Sequence, residues 1–247
     1  MAKPPDRAPS ETSSPPATTS SRAEIDAFVA EVRALGAARD PGLREAGARG
    51  RLVFALDATM SRQPTWDTAC RLQADMFAET AAIGGLDVQL VYFRGLSECR
   101  SSRFVSDPRA LGGLMEKIDC RGGHTQIRKV LAHVRRETET AKVAALVYVG
   151  DAMEESVDDL CARAGELGLA AVPCFMFQEG HDPVAEQAFR EIARLSGGAY
   201  CRFSTGAAHE LGELLRAVAA YASGGRQALH RLSGRNASAV RLLEQLR

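Results

Sequence analysis

Short apolar runs alternate with segments of helical apolar periodicity through most of the chain. Leu52-Val53-Phe54-Ala55-Leu56 is nearly continuous in apolar residues and stops at Asp57, as a strand buried on both faces reads. The pattern then predicts a helix over 66–83, closed by Gly84-Gly85, and a second strand over 88–93 ending at Gly95. Residues 98–105 read as a shorter, more polar strand at hairpin distance from the second, the one antiparallel member of the sheet. Asp107 is a suitable cap for a helix opened by Pro108. A helix over 125–138 leads to the apolar run 143–149, which stops at Gly150-Asp151. A helix over 157–167, a strand over 170–177, a helix begun by Asp182-Pro183, a strand over 199–203 and a helix over 207–221 complete the alternation. Strands and helices alternating at these lengths predict an α/β fold: a six-stranded, mostly parallel sheet with helices on both faces.

The ends read differently. Residues 1–22, rich in Pro, Ser and Thr, hold too little apolar surface to offset the entropy of ordering and are expected to be disordered. In 23–50, Ile25, Phe28, Val29, Val32 and Leu35 recur at helical spacing up to Gly36, followed by a polar linker. The expected domain then spans 51–222. The tail, 223–247, carries Leu229, Leu232, Val240, Leu242, Leu243 and Leu246 among several arginines. It reads as one or two amphipathic helices expected to pack on the domain, the alternative being a helix that binds a partner.

Composition narrows the possibilities. The 247 residues are 45% hydrophobic, with 31 basic and 31 acidic side chains, so no global charge steers the chain toward nucleic acid or a membrane surface. Any partner is selected by a local site. The N-terminal segment has no apolar core of a secretory signal, and no run is long enough to span a bilayer. Six cysteines lie scattered through predicted helices and strands rather than in a dense disulfide framework, and read as reduced thiols in the cytoplasm.

In an open α/β sheet, ligands bind beyond the carboxyl ends of the strands, where the strand order reverses. Asp57-Ala58-Thr59-Met60-Ser61 leaves the first strand, Gly122-Gly123-His124-Thr125 leads into a helix, and Asp151 ends the run 143–149. Each hydroxyl or carboxylate could singly cap a helix, Asp151 with Glu154 as a capping box and Ser61 or Thr125 as an N-cap. Five oxygen-bearing residues on three converging loops instead suggest a divalent-cation site. At these motifs the sequence resembles the von Willebrand factor A (vWA) domain family. Its metal-ion-dependent adhesion site, or MIDAS, joins Asp-x-Ser-x-Ser to a Thr and an Asp in two further loops.

The resemblance runs from about residue 51 to 221 and implies a doubly wound, Rossmann-like fold. It also implies a Mg²⁺ (or Mn²⁺) ion with Thr59, Ser61 and Thr125 as direct ligands, Asp57 and Asp151 anchoring ordered waters, and an acidic side chain of a protein partner completing the shell. That is a binding function, of the adaptor or assembly kind, and not an enzyme. Thr59 stands where the family more often has Ser, and Ala152 follows Asp151 where Gly is common. Two other functions fit part of the pattern. Asp57 could be the nucleophile of a haloacid-dehalogenase-like phosphatase, though Thr59 occupies the place of that family's second Asp. The domain could also be an interaction scaffold that needs no metal. A zinc site using Cys99, Cys120 and His124 is disfavoured, since free cysteines are usually small buried hydrophobes. Trp66 is expected to pack in the core or at its rim, and His124 to shape its loop.

Overall fold

The computed structural model describes residues 49–60 and 63–246. The expectations for 1–22 and 23–48, and Ser61 among the candidate metal ligands, lie outside the described residues.

The order of elements is β1 (Gly50–Asp57), α1 (Gln63–Thr80), β2 (Leu86–Arg94), β3 (Glu98–Val105), α2 (Pro108–Met115), α3 (Ile127–Thr140), β4 (Ala145–Gly150), α4 (Val157–Leu169), β5 (Cys174–Glu179), α5 (Pro183–Ser196), β6 (Ala199–Phe203), α6 (Ala208–Ser233) and α7 (Ala237–Gln245). The six strands form one sheet in the order β3-β2-β1-β4-β5-β6. Only the β2/β3 pair is antiparallel. The doubly wound α/β expectation therefore holds, including its single antiparallel strand.

Strand alternation divides the core in two. Leu52, Phe54 and Leu56 point into a cluster shared with α1, α2, α6 and α7. Val53 and Ala55 point the other way, into a cluster shared with α3, α4 and α5. A strand with apolar side chains on both faces reads as an unbroken run rather than an alternating one, which is why β1 and β4 stand out in the sequence.

The element ends shift for local reasons. The apolar run 170–177 becomes a strand only from Cys174, because Ala171 turns the chain with a positive φ of 51° after α4. Pro173 then supplies no N–H for the ladder. The last long helix passes Tyr221 and continues to Ser233, but it is broken at Gly224 and Gly225, where Gly225 adopts φ 63° and ψ −162°. That backbone region is almost confined to glycine. Beyond the break, Leu229, Leu232, Leu242 and Leu246 are buried in the first core cluster. These leucines of the tail thus face their own domain.

Asn236 fixes α7 in place. Its side-chain oxygen accepts from the Ala239 amide (2.8 Å), and its Nδ2 donates to the Glu213 carbonyl on α6 (3.1 Å). Asn236→Ala removes a helix cap and an inter-helix hydrogen bond at a buried position. We expect a loss of about 1–2 kcal/mol, read as a lower urea midpoint. An unchanged midpoint would mean that α7 contributes nothing to cooperative folding.

Candidate metal centre

The chain runs from β1 outward to β2 and β3 on one side, then returns to β4, β5 and β6 on the other. The order reverses between β1 and β4, whose residues Leu56 and Val149 are paired. Asp57 and Gly150 consequently end adjacent strands, and Asp151 follows at once. This is the crevice position at which open α/β sheets bind ligands.

Backbone hydrogen bonds draw the second loop against its neighbours. The Ala58 amide donates to the Phe93 carbonyl (3.0 Å), the Arg121 amide to the Ala58 carbonyl (2.9 Å) and the His124 amide to the Gly95 carbonyl (3.1 Å). The segment 121–124 is thereby held between the first loop and the β2–β3 turn. Asp57 is buried, and one carboxylate oxygen accepts from the Thr59 amide (2.7 Å). Thr59 and Thr125 are buried and Asp151 is half-buried.

The third loop is fastened to the second by two glutamates. The Thr125 amide donates to Glu154 Oε2 (3.0 Å), while the Glu154 amide donates to Thr125 Oγ1 (3.1 Å). His124 Nδ1 lies 3.1 Å from the same Glu154 oxygen. His124 therefore shapes the loop, as its sequence position suggests. Glu155 accepts from the Ile127 and Arg128 amides at the start of α3. Burial pushes the Glu155 carboxyl up, and those two amides pull it the other way.

For Asp151, Glu154 and Thr125 the helix-capping alternatives do not hold; that for Ser61 lies outside the described residues. The α4 cap is Ser156, which accepts from the Asp159 amide, and not Asp151 with Glu154. The residue before α3 is Gln126, which makes no side-chain cap; its role passes to Glu155 from another loop. Ala152 is not among the residues with positive φ, so the third loop makes no demand there that alanine would fail to meet.

One further pair at this edge was missed in the sequence. Glu179, buried, ends β5 next to β4, and its carboxylate accepts a hydrogen bond from the Thr65 hydroxyl of α1. The signal was present, since Glu179 follows a buried strand run as Asp57 does. Trp66, beside Thr65, is buried, donates to the Met115 carbonyl (3.2 Å) and meets Tyr92 edge-on at 6.3 Å.

The chemistry of these donors fits a hard cation. Mg²⁺ takes oxygen ligands in octahedral geometry and retains some of its waters, and the described candidate ligands are the carboxylates of Asp57 and Asp151 and the hydroxyls of Thr59 and Thr125. Thr125 Oγ1 accepts one N–H and still has a lone pair to offer. Among the described residues, no cluster of three or more His, Cys, Asp or Glu side chains could hold a metal. A cation here would accordingly depend on hydroxyls, and zinc coordination through Cys99, Cys120 and His124 gains no support. No disulfide joins the six cysteines, and burial pushes the Cys174 thiol up to about 12.

No family model matches the chain, and no curated protein matches it. Its structure is similar to a von Willebrand factor type A protein from Catenulispora acidiphila, at 18% identity and a TM-score of 0.58 over 72% of this chain and 43% of that one, less than half its length. It is similar to an aerotolerance-related membrane protein from Bacteroides fragilis, at 18% identity and a TM-score of 0.52 over 67% of this chain and 96% of that one. The SpRpn10 VWA domain matches at 11% identity and a TM-score of 0.54, over 66% of this chain and 95% of that domain. Likeness at such identities is likeness of fold. The fold is that of a vWA-type domain. Among the described residues, no helix is long and apolar enough to cross a membrane.

Proposed function

We propose, for a domain of vWA-type fold, that it binds a protein partner through a Mg²⁺ or Mn²⁺ ion held by Asp57, Thr59, Ser61, Thr125 and Asp151. The bound ion supplies a centre of positive charge for an Asp or Glu side chain of the partner. The observation that carries this reading is the convergence of buried Asp57, Thr59 and Thr125 with Asp151 at the point where strand order reverses. Hydroxyls neutralise little of a cation's charge, which favours capture of an external carboxylate over catalysis. Asp57 fixes the first loop through the Thr59 amide, and Glu154 fixes Thr125. Six cysteines without a disulfide support a reducing, cytoplasmic setting. The role is that of an adaptor or assembly domain and not an enzyme.

Titration calorimetry of Mg²⁺ and Mn²⁺ into chelator-stripped protein tests the reading. Saturable binding is expected in the wild type and none in Asp57→Ala, with both proteins folded by circular dichroism. Absence of binding in the wild type would favour a metal-independent scaffold. One observation supports that second reading, namely that Glu154 and Glu155 join the loops through protein hydrogen bonds.

A further inference from the structure

We propose that the outer edge of β3 docks an extended acidic segment of a protein partner by strand addition, independently of the candidate metal centre. β3 ends the sheet, and among the described residues it pairs only with β2. Its outer side therefore offers backbone donors and acceptors to another strand. A crevice of about 340 Å³ runs between this edge and α3, lined by Val91, Cys99, Ser101, Lys129, His133 and Arg136 among others, and no Asp or Glu lines it.

Cations flank the edge. Cys99 packs toward the α3 side of the sheet, so Lys129 and Arg136 stand on that side of the strand. Arg100, opposite Tyr92 in the ladder, also lines the crevice, and both Arg100 and Arg103 are exposed. Lys129 Nζ bonds only neutral acceptors, the Ser97 carbonyl and Gln126 Oε1, each at 2.8 Å. Lys129, Arg103 and Arg136 form no ion pair among the described residues, and Arg100 shares the edge with the single carboxylate of Glu98, so cations outnumber anions here on a chain of zero formal net charge and select an acidic occupant.

The same charges argue against a second copy of this chain on the edge, because an added β3 would bring Arg100 and Arg103 against their counterparts. They do not require nucleic acid, which gains nothing from strand donors and acceptors. The ladder irregularity between Gln89 and Val91 leaves regular pairing at Glu98–Ser101, next to the crevice. Backbone pairing is therefore short, and side-chain charge must carry much of the selectivity.

The probe is a peptide of alternating Glu and Thr, titrated into the ¹⁵N-labelled full chain. Expected results are amide shifts and slowed exchange over 98–101, shifts in α3 over 129–136, and affinity reduced about tenfold or more by the double variant Arg100→Glu/Arg136→Glu. Methylating alternate backbone nitrogens of the peptide should abolish binding, whereas chelator or Asp57→Ala should leave it unchanged. Three outcomes would overturn the proposal: an N-methylated peptide that binds as well, oligo-dT that binds these residues as tightly, or binding that disappears in folded Asp57→Ala. The last would assign the peptide's carboxylates to the candidate metal centre instead.

Discussion

Phe54→Ala is expected to destabilise the domain by about 3–5 kcal/mol, the range for truncating a fully buried aromatic side chain. Phe54 has no exposed surface and sits in β1, paired with Leu90 of β2 and Val147 of β4. It points into the cluster formed with α1, α2, α6 and α7. Flanked by two strands and roofed by helices, the position leaves little scope for neighbours to collapse into the void, so the cavity cost adds to the lost transfer energy. Since domains of this size are stable by only about 5–15 kcal/mol, the variant should show a large drop in urea midpoint at an unchanged slope. A loss below about 1 kcal/mol would contradict the packing of this layer.

How far the sequence anticipates this molecule depends on the range of the interaction. β1 and β4 are legible because strands covered on both faces require unbroken apolar runs, and β3 because its polar residues mark an edge. Asp57, Thr59, Thr125 and Asp151 are legible as candidates because each lies just beyond a buried run or at a helix entry. What holds them is not legible. Thr125 and Glu154 are 29 residues apart, and Thr65 and Glu179 are 114 apart, and nothing in local periodicity predicts such pairs. Asp151-x-x-Glu154 shows the consequence: its spacing satisfies a capping box, yet the tertiary contact takes Glu154 to another loop and leaves Ser156 to cap α4. Local rules identify which groups lie at the edge, and long-range packing decides which hydrogen bonds they make.

Gly123→Ala is expected to cost about 1–3 kcal/mol, the usual range for overpacking, and to abolish cation binding at the candidate centre. A Cβ at this position would lie 2.2 Å from the Gly95 carbonyl oxygen and 2.3 Å from its nitrogen. The obstruction is backbone, which cannot rotate aside as a side chain could. Relief requires the second loop to leave the β2–β3 turn, which breaks the bond from the His124 amide to the Gly95 carbonyl and moves Thr125, two residues on. Thr125 is also the anchor for Glu154, so the displacement reaches the third loop. Gly122 provides the control, because a Cβ there meets nothing within 4 Å. Gly122→Ala should keep both stability and metal affinity, since an unstrained surface substitution usually stays within about 0.5 kcal/mol. Thermal unfolding and Mn²⁺ titration of the two variants separate the possibilities. Equal loss of metal binding in both would show that the loop's flexibility, and not the close approach of Gly123 to Gly95, sets the geometry of Thr125. Full binding in Gly123→Ala would remove the second loop from the cation's coordination altogether.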